Sequence, residues 1–82
     1  MKKHQELVQR VKKIISSHIN VEDSNLELTS KPSTFSTWDS LANTMIYLEI
    51  VKTINVPISF EEYLECGSLG DVVEAILVAS ER

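Results

Sequence analysis

Apolar residues recur through this chain at three- and four-residue spacing, with no sustained strand-like alternation. Leu7, Val8, Val11, Ile14, Ile15 and His18 share one helical face, and Arg10, Lys12, Lys13 and Ser17 fall on the other. This predicts a first helix from about Lys3 to His18. Leu41, Met45, Ile46, Leu48, Ile50, Val51 and Ile54 predict a second, from Ser40 to about Ile54, stopped near Asn55 and Pro57. Ser59-Phe60-Glu61-Glu62 has the form of a capping box, so a short helix is expected over about Phe60 to Glu65, broken by Gly67. Ser68 then opens a last helix, about Leu69 to Ala79, with Leu69, Val72, Val73, Ile76 and Leu77 on one face. The expected fold is all-α: a small antiparallel helical bundle of three long helices and one short helix, with a long ordered first loop.

That loop, Ile19 to Asp39, is rich in turn formers, among them Asn20, Asp23, Asn25, Ser30, Pro32 and Ser33. About twenty residues is long for a connection in a small domain, and such loops are usually functional or packed by their own side chains. Leu26, Leu28, Phe35 and Trp38 are the expected anchors. The chain has 82 residues and forms one domain, residues 1–82. A domain this small buries only about 60% of its unfolded surface, which makes every apolar residue count. Against that background the second helix is unusual. Its apolar residues wrap more than one face, so it is either unusually buried or carries surface meant for a partner.

Composition narrows the function. The net charge is −4, which disfavours nucleic acid as a partner. Lys2, Lys3, Arg10, Lys12 and Lys13 crowd the start, while from Ile14 onward only Lys31, Lys52 and Arg82 are basic. An acidic body suits partners with basic docking faces, and it also serves solubility. No segment is long and apolar enough to span a membrane, and the N-terminus lacks the apolar core of a signal peptide. Cys66 is the single cysteine, and no Cys/His set has zinc spacing. The expectation is a soluble, cytoplasmic protein without a metal.

The segment Trp38-Asp39-Ser40-Leu41 places a serine where a loop turns into a helix. Catalysis does not account for it. A nucleophilic serine needs a base and an orienting acid, and neither His4 nor His18 belongs to a recognisable triad context. No Gly-x-Ser-x-Gly elbow is present, and glycine occurs only at positions 67 and 70, which leaves no phosphate-cradling loop. The chain is expected not to be an enzyme. Asp39 can cap the second helix through the free N–H groups of its first turn, and capping alone could explain the residues.

The residues around the serine say more when taken together. Asp39-Ser40-Leu41, the helix behind it, Val56-Pro57-Ile58, the acidic Phe60-Glu61-Glu62-Tyr63 and Ser68-Leu69-Gly70-Asp71-Val72-Val73-Glu74-Ala75-Ile76 resemble, in that order, the acyl carrier protein family. The resemblance covers nearly the whole chain. It implies a 4′-phosphopantetheine arm on Ser40, flanked by the motif residues Asp39 and Leu41. It implies a carrier that presents thioester-bound acyl or aminoacyl groups to other enzymes. The implied partners are a phosphopantetheinyl transferase, a loading enzyme and downstream acyl-transfer enzymes, with the carrier itself a monomer.

The chain departs from the family's pattern on the second helix. Positions that are often acidic there are Ala42, Met45, Val51 and Lys52, and only Glu49 is acidic. Partner docking is therefore expected to be largely apolar, through Met45, Leu48 and Val51, although Met45 and Val51 could equally be core. Glu61, Glu62 and Glu65 could supply acidic contacts from the short helix. The Trp-Asp-Ser-Leu form and the missing acidic helix point to a specialised pathway of the polyketide or nonribosomal-peptide kind. Two alternatives stand beside this: a carrier of primary fatty-acid synthesis, and an unmodified helical interaction module with the same fold. Tyr47 and Tyr63 are expected to pack, Trp38 to anchor the loop, and Cys66 to be at least half-buried.

Overall fold

The computed structural model describes residues 2–81; Met1 and Arg82, and the side chains of Lys2 and Lys3, lie outside what it describes. It contains four α-helices and, among the described residues, no strand. They are α1 (Lys2–Ile19), α2 (Ser40–Ile54), α3 (Phe60–Leu64) and α4 (Leu69–Ala79).

Each helix end has a local cause. Asn20 and Asn55 take left-handed backbone conformations, φ 58° and 62°, and stop α1 and α2. Asparagine tolerates that region better than a branched residue does. Past Asn20 the amide of Val21 donates back to the Ser16 carbonyl, closing the end of α1 one residue beyond the expected stop at His18. Asp39 caps α2, its carboxylate accepting from the Ala42 amide at 2.9 Å. The Ser59 hydroxyl and the Glu62 carboxylate cap α3 reciprocally. At α4 the Ser68 hydroxyl accepts from the Asp71 amide, and the Asp71 carboxylate accepts from the Gly67 amide.

The core draws on every long helix: Val11, Ile14, Ile15 and Ile19 of α1, Ala42, Ile46 and Ile50 of α2, and Leu69, Val72, Val73, Ile76 and Ala79 of α4. α1 packs on both α2 and α4. Its register on α2 is marked by two polar contacts. The Arg10 guanidinium donates to the Thr53 carbonyl at 3.2 Å, and His18 Nε2 meets Glu49 Oε1 at 2.6 Å. His18, expected on the apolar face, is thus half-buried and partnered by a carboxylate.

The first loop folds back on the helices through two short 3-10 turns, Asp23–Asn25 and Pro32–Thr34. Leu26 and Trp38 are buried, and Phe35 packs against the core as a partly buried residue. Leu28 corrects the expectation: its side chain is exposed, and it holds the loop by its main chain instead. Its carbonyl accepts from the Gly70 amide at 2.8 Å, and the Ser30 carbonyl accepts from the Leu69 amide at 2.9 Å. Two otherwise unpaired amides at the start of α4 are satisfied by the loop. A Cβ at position 70 would sit 2.9 Å from the Leu28 carbonyl oxygen, so the close approach needs glycine.

Candidate functional site

Ser40 is the first residue of α2 and is exposed. Its own carbonyl accepts from the Thr44 hydroxyl, but no hydrogen bond to its hydroxyl occurs among the described residues. The turn that presents it is held on both sides. Asp39 accepts twice, through its carboxylate from the Ala42 amide and through its carbonyl from the Asn43 amide, both at 2.9 Å. On the other flank the Trp38 ring is buried, and its amide donates to the Phe35 carbonyl. The first-turn amides of Ser40 and Leu41 have no acceptor within the helix, and the positive end of the helix dipole is centred here.

The indole N–H of Trp38 donates to Asn43 Oδ1 at 3.0 Å, and the Tyr63 hydroxyl donates to the same oxygen at 2.5 Å. An indole N–H can only donate, which fixes the oxygen of the Asn43 amide on this side. Burial pushes the Tyr63 phenol well above its ordinary range, the nearby Cys66 adds to the rise, and the neighbouring Trp38 side chain opposes it. The phenol therefore stays protonated and remains a donor. Asn43 was not singled out from the sequence. The signal was available: a weak helix former on the same side of α2 as Ile46 and Ile50 must find a polar partner.

Beyond Ser40, Leu41, Met45 and Leu48 stand one above another on α2, exposed by 72, 45 and 53%. A core role for Met45 is thereby set aside. Val51 is different, being partly buried and packed against the core. The helix does not wrap evenly; it carries a buried face and a separate exposed apolar stripe. An open groove of about 460 Å³ borders the stripe, lined by His18, Asn20, Ser36, Thr37, Asp39, Leu41 and Met45 among others. A second hollow shares His18 and Met45 with it and continues past Leu48 and Glu49 to Lys52. Glu49 is engaged by His18, so Lys52 is the one charge on the stripe side of α2 without such a partner among the described residues.

The acids of α3 divide. Glu61 is exposed, whereas Glu62 closes the capping box through its carboxylate. Tyr47 and Tyr63 both pack: the Tyr47 ring lies 5.1 Å from Phe60 and 5.6 Å from Tyr63, and its hydroxyl donates to the Ile58 carbonyl. Cys66 is half-buried, and burial, followed by the charges of Asp71, Glu65 and Glu62, pushes its thiol up. A protonated thiol in that setting is a poor nucleophile.

Among the described residues no group of three or more His, Cys, Asp and Glu is placed to hold a metal ion. No helix among them is long and apolar enough to cross a membrane. A further recess of about 280 Å³, among Leu7, Arg10, Ile54, Val56, Ile76 and Leu77, shares no residue with the groove beside Ser40. Compared with known proteins, the chain matches no protein-family model, and no curated protein matches it.

Proposed function

We propose that this chain is an acyl carrier protein, an antiparallel bundle of three long helices and one short helix, modified on Ser40 by 4′-phosphopantetheine. The observation that carries the reading is the exposed Ser40 hydroxyl, which has no hydrogen-bond partner among the described residues and stands at the first position of a capped helix. Its surroundings fit the group. The amides of Ser40 and Leu41 and the helix dipole favour a phosphodiester at that oxygen. The adjoining groove is open, and its rim offers the hydroxyls of Ser36 and Thr37 and the side chain of Asn20. When bound, the arm supplies the thiol on which acyl or aminoacyl groups are held as thioesters. The chain's own residues do the rest: Asp39 keeps the helix start in place, and Leu41, Met45 and Leu48 offer an apolar face to the enzymes that load and unload the arm. Val51 backs that face from below, and Glu61 is the acidic contact that α3 can offer. Glu62 belongs to the cap of that helix. The partners are a phosphopantetheinyl transferase, a loading enzyme and acyl-transfer enzymes of a specialised polyketide or nonribosomal-peptide pathway in the cytoplasm. The chain acts as a monomer and not as an enzyme. A carrier of primary fatty-acid synthesis fits less well, because Ala42, Met45 and Val51 leave Glu49 as the one acid of the docking helix.

A second reading is favoured by the same stripe. Leu41 and Leu48 are exposed enough to form a permanent interface, which would make the chain an unmodified interaction module. Incubation with coenzyme A and a broad-specificity phosphopantetheinyl transferase separates the two. Intact-protein mass spectrometry is expected to show one added phosphopantetheine on the native chain and none on Ser40→Ala. A folded native chain that gains nothing is the interaction module.

A further inference from the structure

Asn43 touches both residues that precede Ser40. Its amide nitrogen donates to the Asp39 carbonyl, and its side-chain oxygen accepts from the Trp38 indole. The Tyr63 hydroxyl of α3 donates to that same oxygen. Trp38 and Tyr63 are 4 and 2% exposed, so neither donor has water as a ready substitute. Through this amide oxygen the turn carrying Ser40 is linked to α3, more than twenty positions further along the chain.

We propose that Asn43 is a positioning residue for Ser40: it fixes the Trp38–Asp39 turn against α3 and so sets the pose in which the serine is offered for modification. The part concerning modification rests on the carrier reading; the part concerning the turn does not. Two donors on one acceptor leave the network no slack. Loss of the oxygen frees the Trp38 ring, and the backbone of Asp39 and Ser40 moves with it. Loss of the Tyr63 hydroxyl alone leaves the Trp38 bond in place and releases only the tie to α3.

The test is amide NMR on the full chain, with Asn43→Leu, Asn43→Asp and Tyr63→Phe beside the native protein. In Asn43→Leu the Trp38 indole N–H is expected to exchange about tenfold faster or more, and the Ser40 and Leu41 amide resonances to move, while Val72 and Ile76 of α4 hold. Asn43→Asp keeps an acceptor and should restore the native positions. Tyr63→Phe should shift the same resonances in the same direction by less. Should Asn43→Leu fail to fold, Tyr63→Phe removes one donor with its ring retained, and Trp38→Phe removes the other while leaving a smaller aromatic ring in its place. Ser40 and Leu41 resonances that stay in place while the indole N–H is released would overturn the proposal, since Asn43 would then serve packing alone. The transferase gives the second readout: kcat/KM at Ser40 should fall several-fold in Asn43→Leu and recover in Asn43→Asp. If the native chain accepts no arm, the carrier reading fails, and the NMR result still decides whether Asn43 holds the turn.

Discussion

At the scale of single residues, the site separates side chains that hold the turn from the one it displays. Asp39→Ala removes a cap and should cost about 1 kcal/mol in thermal or urea unfolding, with Asp39→Asn losing much less. Ser40→Ala removes an exposed hydroxyl that has no partner among the described residues, and stability should stay within about 0.5 kcal/mol of the native chain. An equal loss in both variants would mean that Ser40 shares the capping role. Asn43→Leu strands two buried donors and should cost about 1–3 kcal/mol for each one left unpaired. The sequence made Asp39 and Ser40 legible because a cap is a local device, written in adjacent letters. Asn43 was harder to see, because its partners lie five residues before it and twenty after it, and no local rule joins them.

At the scale of elements, α2 has two apolar surfaces, one buried and one exposed. Ile46 is fully buried, and Ile46→Ala should destabilise by about 2–5 kcal/mol. Leu48 stands in solvent, and Leu48→Glu should leave unfolding within about 0.5 kcal/mol while slowing turnover by the partner enzyme. The same split should appear for Met45→Glu. A large loss of stability from either glutamate would place the stripe in the core and remove it as a docking face. If a partner docks on this stripe, its kinetics should respond weakly to added salt, since among the described residues Lys52 is the one unengaged charge there. Periodicity predicted the ranges of α2 and α4 well because capping residues bracket them. It could not divide the apolar residues of α2 between core and surface. Leu41, Met45 and Leu48 look like Ile46 and Ile50 in composition; only the directions from which α1, α3 and the loop approach distinguish them.

At the scale of the whole molecule, the long first loop is part of the packing. It buries Leu26 and Trp38 and supplies the acceptors for two amides of α4. Gly70→Ala would push a methyl against the Leu28 carbonyl and should cost about 1–3 kcal/mol, with amide exchange rising first in the loop. An unchanged unfolding midpoint would mean that the loop yields freely. The sequence showed that the loop must be ordered, because it held too many apolar residues for a linker. It misjudged how Leu28 serves, because a main-chain contact leaves no mark in hydropathy. The molecule as a whole then offers Ser40, at the start of α2, beside an exposed apolar stripe. The measurement that tests this most directly is fragment-ion mass spectrometry on the chain after phosphopantetheinyl transfer. The added phosphate is expected on Ser40. An adduct on Ser36, Thr37 or Thr44 instead, or no adduct on the folded chain, would contradict that expectation.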